Sequence, residues 1–160
     1  MGQPRYKQPP GHGKRTTLTQ IPSGLYLVDT SAIARVKYEA VYAELTRLGK
    51  AGLLATCVVV DLEVLYSARN PVEYSRSAAL RSTGLVDLPP SPETATRARE
   101  VQALLARRGQ HRAAGGPDIL TAAIAEQYAA IVLHYDSDFD HIAAVSRQQT
   151  RWIVPRGTVP

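Results

Sequence analysis

From residue 25 onward the chain alternates short apolar runs with amphipathic stretches. Residues 25–28 are an apolar run that stops at Asp29, the pattern of a buried strand. Tyr38, Val41, Tyr42, Leu45 and Leu48 then recur at i, i+3, i+4, i+7 and i+10. That spacing puts them on one face of a helix, with Gly49 as its expected stop. Residues 53–60 read as a second buried strand, running into a helical segment over about 61–69. Asn70-Pro71 offers a cap and a first-turn proline for the next helix, and residues 84–86 a third strand. Ser91-Pro92 opens a long helix through Val101, Leu104 and Leu105. It closes on Arg107-Arg108-Gly109, which places cations at its negative pole. Pro117 opens another helix that runs through Tyr128. Residues 131–134 predict a strand, 138 to about 147 a short helix, and 152–154 a last strand ended by Pro155. Strands alternating with crossover helices predict an α/β chain with a largely parallel sheet covered by helices on both faces.

Before residue 23 there is no such period. Residues 1–22 are rich in Pro, Gly, Thr and basic side chains and read as a flexible basic extension ahead of one domain over 23–160. The net charge of +5 sits mostly there, on Arg5, Lys7, Lys14 and Arg15, so the body is close to neutral. A tail of that kind can brush phosphates without specificity. Within it, Gly11-His12-Gly13-Lys14-Arg15-Thr16 imitates a phosphate-binding loop and fails. Gln8 stands where the first glycine belongs, and Arg15 where Ser or Thr should follow the lysine. In the body nearly every base is arginine, which suits bidentate phosphate contact.

Composition excludes several classes. With 44% apolar and 21% charged residues the 160-residue chain is ordinary globular protein. No stretch reaches the roughly 18 apolar residues of a membrane span, and no apolar segment follows the first basic residues as in a secretory signal. A cytoplasmic protein is the expectation. Cys57 is the only cysteine and lies in an apolar run, so it reads as a buried thiol rather than half of a disulfide.

The chemistry lies in where the acids fall. In a parallel sheet the strand C-termini and the following helix N-termini share one edge, where open α/β folds bind ligands. Asp29 follows the first strand and Glu63 lies just after the second. Asp118 starts the helix opened by Pro117, and Asp136 follows the strand over 131–134. Each alone also reads as a helix cap, and Asp61 and Asp138 are left mainly to that role. Four together at one edge would repel one another unless a cation neutralised them. All-oxygen ligation is what Mg²⁺ or Mn²⁺ requires. Asp136-Ser137-Asp138-Phe139-Asp140 opens like a calcium loop, but Arg147 occupies the place of the bidentate glutamate. Thr30 and Ser31 could orient Asp29 or a metal-bound water, and Thr30 reads equally as a cap. Arg112, in a glycine-bearing loop, and Arg69, beside Tyr66 on the helix after Glu63, are candidate substrate contacts. Taken singly, Tyr66 reads as core and Arg69 as solvated surface. His134 ends an apolar strand and reads as a satisfied core histidine.

The segments Tyr26-Leu27-Val28-Asp29-Thr30-Ser31-Ala32, Leu62-Glu63-Val64-Leu65-Tyr66-Ser67-Ala68-Arg69, Pro117-Asp118-Ile119-Leu120-Thr121-Ala122-Ala123 and Val132-Leu133-His134-Tyr135-Asp136-Ser137-Asp138-Phe139-Asp140 carry a resemblance. Their order and spacing over about residues 25–155 resemble the PIN-domain ribonucleases, and within them the VapC toxins of bacterial toxin–antitoxin pairs. The resemblance implies a three-layer α/β/α PIN-like fold with a four- or five-stranded, mainly parallel sheet. It implies one or two Mg²⁺ or Mn²⁺ ions held by Asp29, Glu63, Asp118 and Asp136, and endonucleolytic cleavage of RNA such as tRNA or rRNA loops. It further implies a homodimer and a small cognate antitoxin that blocks the acidic groove. The basic extension departs from the pattern. Asp136 and Asp138 compete for the fourth acidic position, and Asp136 is preferred because it leaves the strand first.

The expected reaction is metal-assisted hydrolysis, leaving 5′-phosphate and 3′-hydroxyl ends. Because the acids repel RNA, Arg69, Arg112 and the tail must supply attraction around them. Two other readings compete: a PIN-fold module that binds RNA or protein without cleaving, and a phosphoesterase acting on DNA or a small phosphate.

Overall fold

The computed structural model describes residues 22–160; the expected extension and its Gly11–Thr16 segment therefore lie outside the described residues apart from Pro22. In chain order the elements are β1 (Tyr26–Val28), α1 (Thr30–Ile33), α2 (Glu39–Lys50), β2 (Leu54–Thr56), α3 (Val58–Tyr66) and α4 (Pro71–Gly84). There follow β3 (Val86–Asp87), α5 (Pro92–Arg107), α6 (Gly116–Gln127), β4 (Ile131–His134), α7 (Asp138–Ala143) and β5 (Thr150–Trp152). The five strands form one parallel sheet in the order β3-β2-β1-β4-β5.

Successive strand residues point to opposite faces, so each strand feeds two cores. Leu27, Ala55 and Val132 face α3, α5, α6 and α7, where Val60, Val101, Leu105, Ile124, Phe139 and Ile142 are buried. Val28, Leu54 and Leu133 face the other way, onto Ala32, Val41 and Leu48 of α1 and α2. Burial on both faces is why the strands read as continuous apolar runs rather than alternating ones. The three-layer expectation holds. Cys57 is buried, and burial pushes its thiol pKa up.

Several boundaries differ from the sequence expectation, each for a physical reason. The helix α2 runs through Gly49 to Lys50, and its stop is Gly52, at φ 68°. There Gly52 N–H donates to the Gly49 carbonyl at 2.9 Å and Leu53 N–H to the Leu48 carbonyl at 3.0 Å. The left-handed residue is where glycine is needed, so the stop falls three residues later. The run 53–60 is not one strand: β2 ends at Thr56, and residues 58–60 are the first turn of α3. Both pieces are apolar in sequence although Val58 is exposed, and apolar periodicity cannot separate a strand from the helix turn it enters. The last strand is Thr150–Trp152, two residues earlier than expected, while Ile153 and Val154 are buried beyond its end. The short helix after β4 closes at Ala143 rather than near 147.

Topology places the candidate site. The chain builds outward from β1 to β2 and β3, then returns to the other side of β1 for β4 and β5. Adjacent strands β1 and β4 therefore diverge in their connections, and a crevice opens beyond their C-terminal ends. Among the described residues no helix is long and apolar enough to cross a membrane.

Candidate active site

Asp29 leaves β1 at the mouth of that crevice. Its N–H donates to the Leu133 carbonyl of β4 at 3.0 Å, and its Oδ2 accepts from Ser31 N–H at 2.8 Å, capping α1. The residue is 3% exposed. Ser31 then reaches across to β4: its Oγ accepts the Tyr135 N–H at 2.9 Å. The β4 exit is thus tied to the start of α1, and Asp136 is the next residue.

Asp136 Oδ1 accepts from Asp138 N–H at 3.0 Å, while Asp136 N–H donates to His134 Nδ1 at 3.2 Å. The capping expected of Asp138 is therefore done by Asp136, because the first acid after the strand reaches the helix N–H. His134 is fully buried, and burial lowers its pKa, so its neutral ring accepts at Nδ1. Its Nε2 is buried without a hydrogen-bond partner. The expected satisfied histidine is half satisfied, its ring packed 5.0 Å from Phe139 and 5.1 Å from Trp152.

Asp118 enters from α6. Its Oδ2 reaches back to accept the Gly115 N–H at 3.1 Å, so the cap reading and the site reading coexist. A Cβ at Gly115 would lie 3.0 Å from that oxygen, so a larger residue there would make the carboxylate shift. Burial, and then the charges of Asp29, Asp138 and Asp136, push the Asp118 carboxyl up to about 6 against the opposing Gly115 N–H. Burial and the charge of Asp136 likewise raise Asp138. Four aspartates from three elements thus share one electrostatic environment.

Glu63 approaches from α3 and is held by Thr30, whose hydroxyl donates to Oε2 at 3.1 Å. It lines a cleft of about 590 Å³ with Thr30, Ile33, Leu62 and Tyr66. Its charge is not among those that shift Asp118. Among the described residues no three His, Cys, Asp or Glu side chains close around a single point. In chemistry the set still suits a hard cation. All its donors are carboxylate oxygens, and each acid keeps one oxygen clear of its local hydrogen bond.

The remaining expected residues fall elsewhere. Arg69 pairs with Glu73 at 3.1 Å, and Arg112 is exposed in the turn before α6; neither contacts the acids. Tyr66, read as core when taken alone, is 94% exposed. Asp61 is not a cap: it accepts from Thr56 Oγ1 at 2.6 Å and pairs with buried Arg81. The bonds of Thr30 to Glu63 and of His134 to Asp136 were not foreseen. The first spans 33 residues, so no local pattern announces it.

The sequence profile of the PIN domain family matches residues 26–145. Ribonuclease VapC51 of Mycobacterium tuberculosis is 46% identical over 135 residues, covering 84% of this chain and 96% of that protein. Ribonuclease VapC21 of the same species is 40% identical over 134 residues, covering 83% and 96%. Among solved structures, VapBC2 from Rickettsia felis bound to a promoter DNA fragment superposes with a TM-score of 0.67 at 16% identity, covering 80% of this chain and 98% of that one. VapBC-1 from nontypeable Haemophilus influenzae gives 0.67 at 17% identity, covering 81% and 98%, a likeness of fold. Identity of this extent to the VapC proteins, over a matched PIN profile and a matching fold, means that the chain belongs to the PIN-domain family, on the branch of the VapC ribonucleases.

Proposed function

We propose that this protein is a divalent-metal-dependent endoribonuclease, the toxin of a toxin–antitoxin pair, which cleaves RNA by phosphodiester hydrolysis. The observation that carries the reading is the group of Asp29, Asp118, Asp136 and Asp138 at the crevice between β1 and β4. Burial first, and then the charges of Asp29, Asp138 and Asp136, hold the Asp118 carboxyl up to about 6, a cost that a bound cation would offset. The names of the VapC relatives support the same class of reaction.

Asp29, Glu63, Asp118 and Asp136 would hold Mg²⁺ or Mn²⁺. When bound, such an ion lowers the pKa of water and offsets charge on phosphate. Asp118 must release its proton before it can serve as a ligand. Thr30 fixes the Glu63 carboxylate, and Ser31 ties the β4 exit, one residue before Asp136, to the start of α1. Asp138 adds negative charge behind Asp136. Arg112 is proposed to meet substrate phosphate on the Asp118 side, and Arg69 could do so only by leaving Glu73.

A protein partner, an antitoxin or a second copy of the chain, is supported by apolar exposure. Val36, Tyr42 and Leu80 are exposed around a groove of about 530 Å³ floored by Val28 and Leu54. The binding-module reading rests on one observation, the lack of three carboxylates around a single point among the described residues.

The deciding experiment incubates purified protein with a tRNA pool in Mg²⁺, in Mn²⁺ or in EDTA, and maps the new ends. New 5′-phosphate and 3′-hydroxyl ends are expected with metal, none in EDTA and none with Asp118→Asn. Cleavage that persists in EDTA overturns metal dependence; RNA bound but never cut in any metal establishes the binding module.

A further inference from the structure

The last residues of the chain fold back beside the acids. Residues 155–160 form a turn in which Thr158 N–H donates to the Pro155 carbonyl at 3.0 Å. The Tyr135 hydroxyl pins it by accepting from Gly157 N–H at 2.9 Å and Val159 N–H at 3.1 Å, and by donating to the Val159 carbonyl at 2.8 Å. Arg35 fastens the far end, its Nε donating to the Pro160 carbonyl at 2.8 Å while its guanidinium lies 4.5 Å over the Tyr135 ring. Tyr135, adjacent in sequence to Asp136, thus makes three hydrogen bonds to the turn, and Arg35 adds one at its end.

The turn walls a polar cleft of about 410 Å³ whose lining includes Ser31, Arg35, Tyr135, Asp136, Trp152 and Arg156. Arg156 is exposed, lies 5.6 Å over the Trp152 ring and, among the described residues, pairs with no carboxylate. That sets it apart from Arg47, Arg69, Arg81, Arg97 and Arg151, all of which are held by acids. Arg35 has already spent two of its nitrogens on backbone carbonyls, at Pro160 and Ser31. Arg156 thus lines the same cleft as Asp136, with its donor fork uncommitted beside an indole face.

We propose that this cleft is the subsite for the nucleotide next to the scissile phosphate, with Arg156, backed by the Trp152 ring, binding that nucleotide's phosphate. The inference rests on the ribonuclease reading above. An acidic crevice repels a polyanion, so a strand that reaches the carboxylates needs a cation beside them. A guanidinium fork matches phosphate oxygens. Arg35 acts one step back: it binds no RNA but holds the turn that presents Arg156.

The test uses the full chain and a short, fluorescently labelled single-stranded RNA of mixed sequence. Binding is followed by anisotropy in Ca²⁺ across a KCl series, and cleavage under single-turnover conditions in Mn²⁺. Arg156→Gln is expected to weaken binding about tenfold at low salt, the effect of one charge-assisted contact. It should also lower the slope of log K against log salt by about 0.7, one phosphate's worth for a single strand. The single-turnover rate at subsaturating protein should fall along with the affinity, and Arg156→Lys should restore the salt slope while recovering only part of the affinity. Arg99→Gln, an exposed arginine on α5, controls for net charge and should bind like the wild type. Unchanged affinity and slope in Arg156→Gln, or equal losses in Arg99→Gln, overturns the subsite while leaving a cleaving wild type as a ribonuclease. A wild type that neither binds nor cleaves RNA overturns the ribonuclease reading instead.

Discussion

The Thr30 hydroxyl donates to Glu63 at 3.1 Å and so couples the residue after Asp29 to a carboxylate on a different helix. A hydrogen bond to a charged group contributes about 1.5–3 kcal/mol, and here it also fixes which carboxylate oxygen remains open. Thr30→Val keeps the branched shape and removes the donor. Single-turnover cleavage should fall about tenfold or more and the melting temperature by a few degrees, while Thr30→Ser should retain most of both. Loss of equal size in Thr30→Ser would assign the effect to the methyl group rather than the hydroxyl.

Asp118 makes metal binding depend on pH. Its carboxyl stands at about 6 in the folded protein, above its ordinary 3.8. Between those two values the native state holds a proton that the unfolded chain has released. The metal-free protein therefore loses stability from this group as pH rises from near 3.8 to about 6, and no more beyond. Metal competes with that proton, so its apparent affinity should drop about tenfold per pH unit below 6. Melting curves with and without millimolar Mg²⁺ on either side of pH 6 check this. The gain in melting temperature should be large above it, small below it and nearly absent in Asp118→Asn. A gain independent of pH would remove Asp118 from the ligand set.

The layout of the fold was legible because both faces of the sheet are buried. Apolar runs such as 25–28 and 131–134 then mark strands directly, and the acids that end them mark the edge. Boundaries were less legible where the signal is continuous. Residues 53–60 stay apolar across the change from strand to helix, so nothing in the run shows where β2 ends. Of the candidate acids, Asp29, Asp118 and Asp136 could be singled out because each stands near the end of a strand or the start of a helix. The roles of Thr30, Asp61 and Arg156 could not. Each depends on a contact set by the packed fold: Glu63 for Thr30, Arg81 for Asp61 and the Tyr135 clamp for the turn that carries Arg156. Asp61 and Asp138 show how one local pattern, an acid near a helix start, hides different uses.

Arg81 and Asp61 carry stability rather than chemistry. The Arg81 side chain is 8% exposed, and its guanidinium bonds to both Asp61 and Thr56, holding α4 against α3 and β2. Asp61→Ala leaves that cation buried and unpaired, a loss of about 3 kcal/mol. Urea denaturation should show a lower midpoint with an unchanged slope. Replacing both partners together, as Asp61→Leu with Arg81→Met, should recover much of the loss, because an apolar pair leaves no stranded charge. The double variant should still show the metal-dependent gain in melting temperature, since neither residue belongs to the acidic crevice.

Asp136 and Asp138 separate by what each oxygen already does. Asp136 uses Oδ1 to accept the Asp138 N–H at 3.0 Å, leaving Oδ2 for a ligand, and its backbone is held by His134. Asp138 makes no such cap, and the charge of Asp136 helps raise its carboxyl. Asn at 136 can keep the turn, because an amide oxygen accepts the same N–H, but it removes the charge. Asp136→Asn should therefore fold normally and lose cleavage by orders of magnitude. Its RNA binding in Ca²⁺ should hold or tighten as repulsion of phosphate falls. Asp138→Asn should cost much less, and by removing one of the charges that raise Asp118 it should bring the Asp118 carboxyl down. Metal binding in Asp138→Asn should then extend to lower pH. Single-turnover cleavage of a tRNA pool by the two variants, side by side in Mn²⁺, decides the assignment. Equal loss would mean that both acids act on the ion, and loss confined to Asp138→Asn would transfer the fourth ligand position from Asp136 to Asp138.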